Sequence, residues 1–249
     1  MASVSVFKIK ENIDKISVRK NIDLTGTTPK QSQLAEFNII KKLPQPHSEI
    51  KFIEEKSGYI KYKIKHESNT IFDEIKVYKW DVFEDTGAYE SSEHITNKGY
   101  QIIREFNVLV NQKAKLVYVF SKKDDAKIFM MRLKNNLDID YEPVELDLSK
   151  IDEIPEIIDE YGAWVNDSGN VMKHGHFGHK VKKYMEGNEH NVTSYNVVYD
   201  YGDEINIDLV ISKEGRISSQ SKFVKEAVLL KIFGHLKEKL EMLQPPTDD

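Results

Sequence analysis

The stretch Lys115-Leu116-Val117-Tyr118-Val119-Phe120-Ser121-Lys122-Lys123-Asp124 gives the clearest structural signal in the chain. Its unbroken apolar run, mostly β-branched or aromatic, predicts a buried strand. Ser121, with Asp124 three residues on, predicts a helix N-terminus with a hydroxyl cap and an acid in the first turn. The helix is expected to reach Leu137, with Ile128, Phe129, Met131, Leu133 and Leu137 on its core side. Tyr141 to Leu148 reads as the next strand, so the segment predicts a β-α-β unit.

Upstream, Val4, Val6 and Ile9 suggest a strand, and Gln31 to Leu43 suggests a helix stopped by Pro44 and Pro46. Glu49 to Lys65 reads as strand, turn, strand, with Lys56-Ser57-Gly58 as the turn. Ile71 to Phe83 continues the β pattern. Glu84 to Asn97 is polar and predicts a long loop or boundary, and Tyr100 to Val110 reads as helix. Downstream, Pro155 suits the first turn of a short acidic helix ending at Tyr161. Thr193 to Tyr199 and Ile205 to Ser212 predict a hairpin, and a helix is expected from Ser221 to about Leu243. The expected fold is α+β: a mixed, mostly antiparallel sheet with a β-α-β unit and a long C-terminal helix. A β-rich part (1–90) precedes an α/β part (98–249) that ends in that amphipathic helix. No internal repeat is visible.

The 249 residues fit one large domain or two small ones. Hydrophobic residues at 39% supply a core, and charged residues at 31% a solvated surface, which excludes wholesale disorder. A net charge of -5 does not advertise nucleic-acid binding but leaves room for a local basic face. The absence of cysteine excludes disulfides, thiolate zinc sites and a cysteine nucleophile. No signal-peptide pattern opens the chain, and no apolar run approaches the roughly 20 residues that span a bilayer. A cytoplasmic chain without membrane contact is expected. Abundant Lys, Asn and Ile point to an AT-rich bacterial or phage source.

The sharpest local feature is Lys173-His174-Gly175-His176-Phe177-Gly178-His179-Lys180. His174, His176 and His179 offer imidazoles to a divalent metal, and on a strand His174 and His176 share a face. The flanking lysines argue for a solvated loop instead. Carboxylates recur at Glu145 and Asp147 and at Asp203, Glu204 and Asp208; with Lys213 the last could serve a magnesium-dependent nuclease, or all could be solvated strand faces. Lys61, Lys63 and Lys65 line one face of a strict alternation with Tyr59 and Tyr62 nearby, and Lys180, Lys182 and Lys183 form a second basic patch. Both sets suit phosphate contacts; edge-strand protection is the alternative for the first. No phosphate-binding glycine loop, Gly-x-Ser-x-Gly or His-Glu-x-x-His pattern occurs. No cofactor is expected. Leu229, Phe233, Leu236, Leu240 and Leu243 follow four-three spacing, which suits a dimer seam or an ordinary core helix.

The segment Ile211-Ser-Lys-Glu-Gly-Arg-Ile-Ser218, entering the last helix, and Val171-Met-Lys-His-Gly-His-Phe177 resemble the RexA-type phage exclusion proteins. The resemblance covers at most the C-terminal half. It implies a homodimeric, non-enzymatic abortive-infection protein that contacts DNA, and it transfers no individual functional residue. Two readings follow: a phage-defence or phage-encoded interaction protein, dimeric, binding DNA or a partner protein; or a metal-dependent hydrolase or nuclease using His174, His176 and His179.

Overall fold

Alternating serine and valine at the N-terminus build the central strand. In β1 (Ala2–Ile9) Val4 and Val6 point to one face, and Ser3, Ser5, Phe7 and Ile9 to the other. The computed structural model describes residues 2–25, 46–67, 71–82, 89–100, 102–167, 170–174, 192–221 and 223–240. The expected helix from Gln31 to Leu43 lies outside them.

On one side of β1 the chain forms β3 (His47–Lys56), β4 (Tyr59–Glu67), β7 (Ile103–Asn111), β8 (Leu116–Val119) and then helix α2 (Lys123–Leu137). Short elements α1 (Ile13–Ile16) and β2 (Ile22–Thr25) precede them, and the hairpin β5 (Ile71–Val82) and β6 (Tyr89–Tyr100) is inserted between β4 and β7. After β9 (Tyr141–Pro143) and a 3-10 helix (Leu148–Glu153), the other side forms β10 (Ile157–Asp167), β11 (Asn170–His174), β12 (Val192–Asp200), β13 (Asn206–Ser212), β14 (Arg216–Ser219) and helix α3 (Glu226–Leu240). One 12-stranded sheet results, in the order β11-β10-β12-β13-β14-β1-β8-β7-β4-β3-β2 with β9 also on β1, and every described pairing is antiparallel.

The two sides repeat one plan: a four-strand meander ending in a short strand, then a helix. β8 and β14 each have 4 residues, and α2 and α3 each have 15. Both β8 and β14 run antiparallel to β1, so half a turn about an axis along β1 carries one meander onto the other. Such an axis lies in the sheet and therefore exchanges its faces. The two cores obey this: α2 packs with Phe7, Val108, Val117 and Val119 on one face, and α3 packs with Val4, Val6, Tyr118 and Ile217 on the other. Only the strands near the axis are covered twice, which explains the uninterrupted apolar run of β8.

These findings correct the expected α+β class: the molecule is a large antiparallel sheet with a few short helices. The β-α-β unit of neighbouring parallel strands is absent; β8 and β9 lie on either side of β1. Tyr100 to Val110 holds strand β7, because Phe106, Val108 and Val110 alternate inward while Leu109 packs on the opposite face, a two-sided pattern that imitates a helix. Of the stretch 84–97, residues 89–97 form part of β6, paired with β5, and the stretch after Pro155 enters β10. The second strand of the middle segment is only Tyr141–Pro143, since Asp147 caps the 3-10 helix by accepting from Ser149 N at 3.2 Å. Ser121 is not the cap of α2; Lys122 holds that position. The C-terminal helix begins at Glu226 rather than Ser221, whose hydroxyl accepts from Phe223 N in a turn.

Candidate nucleic-acid interface

Because each of the two long helices covers only its own half, each half leaves one sheet face without a helix among the described residues. The two open faces differ in chemistry. On the α3 side of the first half, β4 presents Lys61, Lys63 and Lys65. Lys63 pairs with Glu105 at 2.6 Å, Lys61 approaches Glu226 at 3.8 Å, and Lys65 lies across from Glu49 and Glu105. Their charge is thus matched within the chain. β4 is also an interior strand, flanked by β3 and β7, so edge protection is not their role.

On the α2 side of the second half, strand register aligns Trp164, Ser194, Ser212, Arg216 and Ser5 in one row across β10, β12, β13, β14 and β1. Beyond Ser5 the same row continues as Val119, Val108 and Tyr62 under α2. The row therefore changes from apolar to polar where α2 ends its coverage. With neighbouring strands about 4.8 Å apart, the Trp164 and Arg216 backbone positions are about 14 Å apart. A second row, Asn196, Val210, Ser218 and Ser3, runs beside it.

Arg216 is the hub of this face. Its Nε donates to Ser3 Oγ at 3.1 Å, and among the described residues its terminal nitrogens have no hydrogen-bond partner. Burial works against its charge, offset by the nearby Asp124 and Glu214 carboxylates. Three cavities meet at it. One of about 820 Å³ opens between the N-terminal ends of α2 and α3, beside Arg104, Lys122 and Lys225. One of about 520 Å³ reaches Trp164, and one of about 320 Å³ lies along α2. Around the latter two, Lys123, Lys127, Lys213 and Arg216 line the walls with Glu214, which bridges Lys123 and Lys127 at 3.0 Å each, while Asp124 is a second carboxylate near Arg216. A local cationic face thus exists in a chain of net charge -5. In the large cavity, acids balance the cations: Arg104 pairs with Asp125, and Asn107 donates to Glu226 at 2.7 Å.

The chain matches no protein-family model and no curated protein.

Of the residues singled out from sequence, His174 ends β11 opposite Ala163, while His176, His179, Lys180, Lys182 and Lys183 lie outside the described residues. Among the described residues no three His, Asp or Glu side chains are grouped to hold a metal. Asp208 faces Val198 across the β12–β13 pair and Asp203 and Glu204 sit in the turn, so the nuclease carboxylates are not assembled with a third acid. Leu229, Phe233, Leu236 and Leu240 are each 0% exposed in the chain's own core, so they are not a seam for a second copy; Leu243 lies outside the described residues. Arg216, Ser5, Ser194, Ser212 and Trp164 were missed. Their signal was present as alternation: Ser3-Val4-Ser5-Val6 and Arg216-Ile217-Ser218 each place polar side chains opposite core residues.

Two other polar clusters have structural explanations. Ser48 Oγ and His66 Nδ1 are 2.9 Å apart, a spacing a serine nucleophile and its base would share. Both are fully buried, however, and Arg132 fills the remaining space, donating to Ser48 Oγ at 2.7 Å, His47 O at 2.9 Å and Glu67 O at 2.7 Å. The cluster ties α2 to the start of β3 and the end of β4. Burial, then Arg132 and Arg104, push the His66 imidazole down to about 3, so it stays neutral. At the other end of the molecule Tyr199 bonds His235 Nδ1 at 2.8 Å, and His235 Nε2 lies 3.6 Å from Glu156, fastening α3 to the start of the second meander. Burial, then the Glu156 charge, raise the Tyr199 phenol to about 12, which suits a hydrogen-bond donor and not a phenolate.

Proposed function

We propose that this chain is a non-enzymatic interaction protein of the phage-defence, abortive-infection type that binds DNA. Its binding face is the open sheet around Arg216. The carrying observation is the half-buried Arg216 guanidinium, whose terminal nitrogens have no partner among the described residues, at the meeting point of three cavities. Asp124 and Glu214 offset part of the cost of burying this charge, and a phosphate would meet the terminal nitrogens with bidentate hydrogen bonds. Lys123, Lys127 and Lys213 extend the same field. The defence role and homodimeric state rest on the RexA-type sequence resemblance.

The test is fluorescence anisotropy with labelled DNA, offered both annealed and unannealed, between about 50 and about 200 mM salt. Four phosphate contacts predict a log–log salt slope of about -3. Replacing Lys123 and Lys127 by Glu, two exposed positions on α2, should weaken binding at least tenfold without loss of fold. Salt-independent binding, or none of either DNA form at the lowest salt, sinks the reading.

A further inference from the structure

We infer that the cavity of about 520 Å³ beside Arg216 binds a small sugar phosphate, a phosphate monoester carried on a hydroxyl-bearing molecule. This goes beyond the DNA reading and does not depend on it, although both use Arg216. The carrying observation lies at the cavity floor. Ser218 is 3% exposed and lines this cavity, and Ser5 is 5% exposed and lines the adjoining cavity of about 320 Å³. Neither hydroxyl has a hydrogen-bond partner among the described residues. Burying a hydroxyl without a partner costs free energy, and hydroxyls set this deep are in general bonded. A small molecule that enters the cavity supplies the missing partner. A polymer lying across the rim touches the half-exposed Lys123 and Lys127 and does not reach the floor.

Charge selects the anionic group of the ligand. Around the two cavities Lys123, Lys127, Lys213 and Arg216 stand against Asp124 and Glu214, an excess of two positive charges. A phosphate monoester carries about -1.5 to -2 at neutral pH, whereas each backbone diester of a nucleic acid carries a single negative charge. The excess matches the monoester. Arg216 meets it as a planar fork, and because its Nε is held by Ser3 Oγ at 3.1 Å the direction of the fork is fixed. Hydroxyls select the rest of the molecule. Ser194, Ser212 and Ser218 line the same cavity, and Ser212 Oγ accepts from Glu214 N at 3.4 Å, which leaves its O–H to donate. A serine hydroxyl both donates and accepts, as a sugar hydroxyl does, so this floor suits a polyol. The volume falls within the range of small-molecule sites, about 300–1,000 Å³.

The experiment is isothermal titration calorimetry of the full chain with ribose 5-phosphate, inorganic phosphate and ribose. Ribose 5-phosphate should bind about tenfold more tightly than inorganic phosphate, and ribose should give no heat of binding. Ser218→Ala should weaken ribose 5-phosphate about fivefold, the loss of one hydrogen bond, while its urea midpoint stays the same or rises because no internal partner is lost. Arg216→Ala should weaken it by about tenfold or more. Lys63→Ala, on the opposite face and paired with Glu105, should bind as the parent does. If Arg216→Ala does not fold, Ser218→Ala and Lys213→Glu carry the comparison. No binding of ribose 5-phosphate, or equal binding of inorganic phosphate, overturns the inference. A Ser218→Ala protein that is destabilised yet binds normally also overturns it, since the hydroxyl then serves the fold. DNA binding without ribose 5-phosphate binding overturns this inference and leaves the DNA reading intact; ribose 5-phosphate binding without DNA binding keeps this inference and overturns that reading.

Discussion

Acidification from pH 7.5 to 5 should weaken the native state through one residue, His66. Its ring is 0% exposed, and its pKa is lowered to about 3 by burial and then by the charges of Arg132 and Arg104. In the unfolded chain the same ring titrates near 6.5. Below that value unfolded His66 gains a proton that folded His66 refuses, so the unfolded state binds more protons and stability rises with pH. The contribution is intact above 6.5 and is lost progressively as the pH falls toward 3. At pH 5 the gap is about 1.5 pH units below the unfolded pKa, which is about 2 kcal/mol at 1.36 kcal/mol per unit. This figure does not depend on the folded pKa as long as that value lies well below 5. Urea unfolding followed by circular dichroism at both pH values measures it, with His66→Asn as the reference. Asparagine retains an acceptor toward Ser48 and Arg132 but does not titrate. The wild-type loss between pH 7.5 and 5 should exceed that of the variant by about 2 kcal/mol. Parallel losses, within about 0.5 kcal/mol, would refute the buried neutral imidazole and the network built on it.

Arg132→Lys keeps a charge but cannot reach two carbonyls and a hydroxyl at once; it should cost about 3 kcal/mol, read as a lower urea midpoint. Gly215→Ala should destabilise by about 2 kcal/mol or more, because φ is +64° and a Cβ there would meet Val144 O at 2.3 Å; a native-like thermal midpoint would contradict this. Leu236→Ala should cost about 2–5 kcal/mol of folding stability, while light scattering of the folded fraction should show an unchanged mass, since this side chain is buried within its own chain.

The hairpins were legible because their signals are local. Ser57 and Gly58 have φ values of +52° and +80°, and the strict alternation from Tyr59 to Lys65 became β4. The class was misread where a strand is covered on both faces: β7 carries Leu109 outward and Val108 inward, and period-two reading dissolves into an apolar run. The heptad spacing of α3 was real, yet spacing alone cannot tell a partner helix from the chain's own sheet. The candidate site was hidden for a different reason. Trp164, Ser194, Ser212, Arg216 and Ser5 come from five strands, and only the register of four separate pairings brings them into line. No linear motif can announce such a row.

The repeated plan also explains why each half leaves one face uncovered by its own helix. Two meander-helix units placed on the same face would cover that face throughout and leave the other wholly open. Rotation about an axis along β1 instead gives each face, among the described residues, one long helix and one half without a helix. A half-sheet without its own helix carries polar side chains, and the two halves supply them differently. The first uses lysines matched by glutamates, as in Lys63 with Glu105, and its charges are satisfied internally. The second uses hydroxyls, which are neutral and small, around one arginine whose terminal nitrogens lack a partner among the described residues. The halves share a plan and differ in how their cations are met, and that difference is why we propose the Arg216 face as the ligand face. Exchanging the two chemistries is the strictest form of this argument. Ser194→Glu sets a carboxylate in the Trp164–Arg216 row at a half-buried position that no described helix covers. It should abolish nucleic-acid binding while moving the urea midpoint by no more than an ordinary surface change of about 0.5 kcal/mol. Retained binding in a folded Ser194→Glu protein would show that the row is not the ligand face.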